Sequence, residues 1–242
     1  DLSSFQRGGI GFSFIRNYSS FSDYDCGLGI GWDHNFNIGI LSPKGDLDKS
    51  NSFVLFLDGR EIQFTKIKNK WTPEAGEFFQ IEIVDDKVNI LTPSLMRYEF
   101  ESSQEKVEEK EQKWRIAAIA SRHDSWRANR VEIKYLKNSD RIEYIVDPFD
   151  EKVFFTYDQK GHIVQVLKQN KVITFAYNEF SLLTQINYPS SMLSLTQSSD
   201  NQISYYYKSI NPHWQLSKKV SIGLPFSFEV TYDDKSRVEE CG

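Results

Sequence analysis

The chain has 242 residues, 39% hydrophobic and 26% charged, the balance of an ordinary folded domain and too apolar for intrinsic disorder. With 29 basic against 34 acidic residues, the net charge of −5 argues against nucleic acid as the main ligand. Two cysteines, Cys26 and Cys241, exclude a disulfide framework and every four-cysteine zinc motif, and the sequence leaves their pairing open.

Aromatic residues make up 14% of the chain (5 Trp, 12 Tyr, 18 Phe), and such side chains suit half-buried pleated surfaces, so the composition leans to strands. The long charge-free stretch from Phe180 to Ser199 contains Pro189 and many Ser, Thr, Gln and Asn, so no membrane span is expected. The chain opens on Asp1 with neither Met nor a signal peptide, as expected of a processed chain or a piece of a longer protein.

In chain order, Ser52–Leu57 and Arg60–Thr65 flank Asp58-Gly59, a type I′ turn pair, and predict a hairpin. Gln80–Val84 and Lys87–Leu91 predict a second across Asp85-Asp86, and Leu95–Glu101 with Trp114–Ala120 a third. The charged connection 102–113 has capping-box spacing at Ser102 and Glu105 but little apolar face, so it reads as a solvated loop with at most a helical turn.

From residue 130 the chain repeats a strand ending in Tyr, a polar turn and a second apolar strand. The units start at Arg130–Tyr135, Lys152–Asp158, Lys171–Asn178, Ile203–Lys208 and Phe226–Asp233. The fourth has a less regular second half at Trp214–Ile222, and the last is cut short after Ser236-Arg237-Val238. Tyr135, Tyr157, Tyr177, Tyr207 and Tyr232 anchor them. A lone hairpin is barely stable in water, so successive hairpins must pair edge to edge. The expected fold is all-β: antiparallel hairpin repeats in a long curling sheet. Its organisation would be an opening segment at 1–50, hairpins at 51–121 and repeats at 122–242, in one continuous structural unit.

Two features carry a family resemblance. The Tyr-Asp pairs Tyr157-Asp158 and Tyr232-Asp233, with Tyr177-Asn178 as a variant, each follow a strand and precede a turn and a short strand such as Gly161-His162-Ile163. This resembles the YD repeat of Rhs-family proteins. The stretch Arg16-Asn17-Tyr18-Ser19-Ser20, then Gly27-Leu28-Gly29-Ile30-Gly31-Trp32, is similar to the segment that opens an Rhs core. Arg122-His123-Asp124 also resembles the family's turn between repeats, whereas Asp150-Glu151-Lys152 carries charges where a Gly-Arg turn is usual. The family includes Rhs polymorphic toxins, the B and C components of insect Tc toxins, and teneurins. The resemblance implies a hollow β-shell, secreted or at the cell surface, that encloses or presents a toxin or effector polypeptide. It implies structural roles for Arg16, Tyr18, Gly27, Gly29, Gly31, Trp32, Tyr135, Tyr157, Asp158, Tyr177, Tyr232 and Asp233.

No catalytic, cofactor-binding or metal residue is assigned. The family's self-cleaving Asp-Pro motif is not matched at Asp147-Pro148, which Phe149-Asp150 follows. Gly27, Gly29 and Gly31 do not fit a phosphate loop and read as a tight turn against Trp32. His34, His123, His162 and His213 lack ligand spacing and read as packing or surface residues. Asn17-Tyr18-Ser19 forms a glycosylation sequon but reads as structural.

The expected partners are the remaining repeats or the toxin domain of a longer parent, and edge-to-edge self-association is expected at an unpaired last strand. The alternative reading is a surface adhesion module that binds glycan or protein through exposed aromatics such as Tyr205 and Tyr206. A hydrolase ranks below both, since no carboxylate pair stands out among the 34 acidic residues.

Overall fold

The computed structural model describes residues 11–43, 47, 50–84, 87–105, 111–121, 129–189, 201–210, 213–222, 227–232 and 238–241. Among them the fold is all-β, without an α-helix, and the strand pairings are antiparallel. The chain separates into two compact units that do not follow its linear order: one takes Asp1–Ile15 and Asn35–Val153, the other Arg16–His34 and Phe154–Gly242. Strands β1 (Arg16–Tyr18) and β2 (Trp32–His34) pair with each other and belong to the second unit.

The first unit holds β3 (Gly39–Pro43), β4 (Ser52–Leu57), β5 (Arg60–Ile67), β6 (Lys70–Pro73), β7 (Gln80–Val84), β8 (Lys87–Leu91), β9 (Met96–Ser102), β10 (Glu111–Ser121), β11 (Arg130–Tyr135), β12 (Ile142–Val146) and the start of β13 (Lys152–Tyr157). The hairpin expected at 52–65 forms, with Asp58 at φ 53° and Gly59 at φ 71°, the positive values a type I′ turn demands. Alternation places Phe53, Leu55, Leu57, Ile62 and Phe64 on the buried face. There Phe53 stacks on Phe64 with ring centroids 4.6 Å apart and meets Trp71 edge-on at 4.9 Å.

Strand β10 begins at Glu111, three residues before the expected start at Trp114, so the connection from 102 is shorter than its sequence suggests. The cause is distant. Glu111–Arg115 pair with β3, a partner some seventy residues upstream in the chain that no local pattern reveals. The carboxy-terminal half of β10 pairs with β11, and its other edge pairs with β9 across a bulge between Ile116 and Ala118.

That bulge exchanges the faces of β10. Ile116 lies opposite Phe100 on the apolar face, whereas Ala118 and Ala120 lie opposite Glu99 and Arg97 on the charged one. Because the alanines are short, Arg130 from β11 passes over the strand and binds Glu99 through two bonds of 2.6 and 2.9 Å. These bonds, with the Arg97 charge beside them, hold the Glu99 carboxyl below its usual range despite partial burial. Glu132 and Lys134 extend the cluster, with Lys134 Nζ 3.2 Å from Glu132. Buried Arg115 binds Glu101 at 2.9 Å and sits 4.1 Å above the Tyr135 ring, while its Nη1 donates to the Ser139 carbonyl. The charges alternating on these strands therefore neutralise one another.

The second unit holds the rest of β13, β14 (Ile163–Lys168), β15 (Lys171–Tyr177), β16 (Leu183–Tyr188), β17 (Asn201–Ile210), β18 (His213–Ile222), β19 (Phe228–Tyr232) and β20 (Val238–Cys241). The second half of the fourth repeat, expected to be less regular, is a ten-residue strand paired along its whole length with β17, with one bulge between Tyr206 and Tyr207. A return strand also forms after Tyr232: β20 pairs with β19, Val230 opposite Cys241, so the last hairpin is further built than expected.

Candidate functional site

The turns of the repeats share one geometry. Asp158 Oδ1 accepts the His162 N–H at 2.8 Å, Asn178 Oδ1 accepts those of Phe180 and Leu182, and Asp147 Oδ1 accepts those of Phe149 and Glu151. In each turn the fourth residue has positive φ: Asp150 (61°), Gly161 (96°) and Ser181 (62°). The charged stretch at 150–152 is therefore the same turn with Asp in the left-handed position, which Asp tolerates better than most residues.

The tyrosines join neighbouring hairpins. The Tyr177 hydroxyl donates to the Ile163 carbonyl at 2.7 Å, Tyr207 to Leu183 at 2.7 Å and Tyr232 to Leu216 at 2.7 Å. In the first unit Tyr135 donates in the same way to Ile116 at 2.5 Å. Each bond joins the end of one strand to the backbone of the preceding hairpin. Burial pushes the Tyr177 and Tyr207 hydroxyls well above their ordinary range, so both remain donors.

Arg16–His34 is seated on this second-unit sheet. The Ile163 N–H donates to the Gly27 carbonyl at 2.6 Å, and the Ile30 N–H to the Ser181 carbonyl at 3.2 Å. The segment thus binds the turn at Gly161 and then the turn at Ser181. At Gly29 (φ 90°) an added Cβ would lie 2.6 Å from the Ser181 carbonyl oxygen, so close approach and conformation both require glycine. Gly31 (φ 80°) is equally confined, 2.8 Å from the Ser19 carbonyl oxygen. The glycines do form the expected tight turn at Trp32, whose N–H donates to the Gly29 carbonyl at 3.1 Å, and they also press on the repeat turns and on Ser19 and Tyr18.

Trp32 is the anchor. It is 5% exposed, its Nε1 donates to the Tyr207 hydroxyl at 2.8 Å, and its ring meets Tyr205 edge-on at 4.8 Å. Tyr18 leans on it at 5.3 Å, accepts the Leu216 N–H at 3.1 Å and donates to the Trp214 carbonyl at 3.1 Å. Burial raises the Tyr18 hydroxyl to about 12. Tyr205 is buried at 6% exposure, which removes it from any sugar-stacking surface, whereas Tyr206 is 52% exposed. Asn17 of the sequon is exposed on β1 opposite Asp33.

Asp25 was not singled out by sequence, although an Asp two residues before Gly is an Asx-turn signal. Its Oδ1 accepts the N–H groups of Gly27 and Gly29 at 2.7 and 2.9 Å, and its Oδ2 lies 3.2 Å from His162 Nε2. The other ring nitrogen of His162 faces Asp158 Oδ2 at 3.1 Å, and the imidazole stacks on Tyr177 with centroids 4.6 Å apart. With both nitrogens occupied by carboxylates, His162 has none left to activate a nucleophile. Burial and the Asp33 charge push the Cys26 thiol up, so it stays protonated and donates to the Trp32 carbonyl at 3.3 Å.

The opening-segment residues Arg16, Tyr18, Gly27, Gly29, Gly31 and Trp32 thus meet Tyr157, Tyr177 and, through Tyr18 and Trp32, Tyr207 within one unit. Tyr135 lies in the other unit. Asp233, Arg122, His123 and Asp124 lie outside the described residues. Among the described residues no group of His, Cys, Asp and Glu is arranged to hold a metal, and no helix is long and apolar enough to cross a membrane.

No family model and no curated protein matches the sequence. Among solved structures, the chain is similar to the N-terminal domain of effector protein SpvB from Salmonella typhimurium strain LT2, with TM-score 0.47 and 11% identity over 92% of this chain and 97% of that one. It is also similar to TcdB2-TccC3, with TM-score 0.43 and 12% identity over 93% of this chain, and to TcdB2-TccC3-Cdc42, with TM-score 0.41 and 13% identity. It spans 15% of the TcdB2-TccC3 chain.

Proposed function

We propose that the chain is a non-catalytic wall segment of an Rhs/YD-repeat shell, secreted or displayed at the cell surface, that encloses or presents another polypeptide of its parent protein. One observation supports this reading above the rest: the two halves of the family resemblance meet in space. The glycine-rich opening stretch lies on the turns of two successive repeats, and Tyr135, Tyr177, Tyr207 and Tyr232 each fix their hairpin to the previous one through a backbone carbonyl. Such an arrangement builds a wall by repetition. It satisfies backbone groups internally and spends its tyrosines and histidine on packing rather than on chemistry.

The test is limited proteolysis of the full-length parent. A passenger segment inside a wall of this kind resists protease in the native protein and is digested once the wall is unfolded in urea. Equal digestion of the passenger under both conditions would overturn the reading. For the adhesion alternative, the exposed residue to substitute is Tyr206, since Tyr205 packs on Trp32.

A further inference from the structure

The repeat turn at His162 gathers three ionisable side chains from two distant stretches of the chain. Asp25 Oδ2 lies 3.2 Å from His162 Nε2, and Asp158 Oδ2 lies 3.1 Å from His162 Nδ1. The imidazole is 4% exposed and stacks on the Tyr177 ring. Each carboxylate also holds backbone in place: Asp25 the amides of Gly27 and Gly29, Asp158 the amide of His162 itself. Beside them the Ile163 N–H donates to the Gly27 carbonyl. The ring therefore sits at the joint between the opening segment and the repeat turns.

The neighbouring polar groups do not balance the two carboxylates. The Cys26 thiol, beside Asp33, donates to the Trp32 carbonyl, the Tyr177 hydroxyl donates to the Ile163 carbonyl, and both stay protonated. The Tyr157 ring packs beside Gly27. Lys160, in the same turn as His162, donates to the Glu179 carbonyl at 3.3 Å. Arg16, whose charge reaches Tyr177, donates to the Tyr188 hydroxyl at 2.6 Å. Among the described residues His162 is thus the only basic group bonded to either carboxylate. An imidazolium has two N–H donors and serves both carboxylates at once. A neutral imidazole has one, so its other nitrogen turns a lone pair toward a carboxylate oxygen in a poorly hydrated site, and one contact becomes repulsive. Asp158 is tied to the His162 turn through its own backbone bond, whereas Asp25 arrives from outside it. The Asp25 contact is the one free to open.

We propose that Asp25, His162 and Asp158 form a proton-operated clasp: it holds the opening segment on the repeat turns while the imidazole is protonated and slackens when that proton leaves. The charge that changes is on His162, and the element it biases is the Asp25–Gly29 loop, seated or lifted. The inference stands on these residues alone and does not rest on the shell reading.

Amide hydrogen exchange of the intact chain tests it, read residue by residue by NMR between about pH 6.5 and about pH 8.5 and corrected for the intrinsic pH dependence of exchange. In that window His34 is already neutral, while Cys26 and Tyr177 keep their protons. Protection of the Gly27, Gly29 and Ile163 amides should fall at least about tenfold across it, the scale of one charge-assisted hydrogen bond. The fall should track the ring-proton shift of His162. Amides of the β15–β16 and β4–β5 ladders should keep their protection. His162→Gln should remove the pH dependence at the three amides. Asp25→Asn, which keeps an acceptor for the Gly27 and Gly29 amides, should remove it too and decides the matter where His162→Gln does not fold. Constant protection in the wild-type chain overturns the proposal. An equal fall in the ladders also overturns it, because the whole unit would then be opening, as does a pH dependence that survives either substitution.

Discussion

Nε2 of His162 lies 3.2 Å from Oδ2 of Asp25, across 137 positions of sequence, and this contact ties the opening segment to the first described repeat turn of the second unit. The same carboxylate organises its own loop by accepting the amides of Gly27 and Gly29. Asp25→Asn keeps an oxygen for those amides but removes the charge facing the imidazole. It should destabilise the second unit by about 1.5–3 kcal/mol, the range for a hydrogen bond to a charged group. Urea melts followed by the fluorescence of Trp32 and Trp214 provide the measurement; a loss near zero would show that the contact contributes nothing.

Trp32→Ala should cost about 3–5 kcal/mol, the usual penalty for emptying a large buried aromatic site. Trp32→Phe should cost less, since it keeps apolar volume against Tyr18 and Tyr205 and loses only the bond to the Tyr207 hydroxyl. Chemical denaturation of both variants checks the order, and equal losses would mean that the indole N–H dominates.

His34 is buried on β2, and burial lowers its pKa from 6.5 to about 4, opposed weakly by the Asp33 charge. The folded state thus holds the neutral ring while the unfolded chain takes up a proton below pH 6.5. Stability is at its full value above pH 6.5, falls as the pH drops toward 4, and loses about 3 kcal/mol over that window. Glu99, Glu132 and Asp158, whose carboxyls are held low, add their own loss as the pH falls through their ordinary values of 4.5, 4.5 and 3.8 and below. The check is the slope of stability against pH between 6.5 and 4.5, which His34→Gln should flatten.

Gly29→Ala and Gly59→Ala make a matched pair. Both residues have positive φ, but a Cβ at Gly29 would meet the Ser181 carbonyl oxygen at 2.6 Å, while one at Gly59 would meet nothing within 4 Å. Gly59→Ala should cost about 1–2 kcal/mol from backbone conformation alone. Gly29→Ala should cost at least about 2 kcal/mol more, because backbone must move to admit the methyl group. Thermal melts compare them directly.

Much of the strand order was legible in the sequence, because alternation and turn chemistry are local. The 52–65 hairpin was readable from Asp58-Gly59, and Arg130–Tyr135 was placed to the residue. What escaped was non-local. Nothing near Glu111 indicates that it pairs with Pro43, and nothing near Asp25 indicates His162. The bulge at Ile116/Ala118 was equally hidden, because a face switch inside Ile116-Ala117-Ala118 leaves a continuous apolar run. For the opening segment, the residue types were visible and their seat was not: the glycines suggested a turn, which forms, but the approach of Gly29 to the Ser181 carbonyl could not be read from them.

The tyrosine hydroxyls bind main-chain carbonyls at Ile116, Ile163, Leu183 and Leu216, and a carbonyl is present whatever residue occupies the position. The join between neighbouring hairpins therefore places no demand on side-chain identity in the receiving strand. A hairpin can be duplicated, deleted or exchanged for a diverged copy with no compensating substitution next door, provided the newcomer brings its own tyrosine. A sheet built on such joints can change its length and its surface chemistry independently of each other.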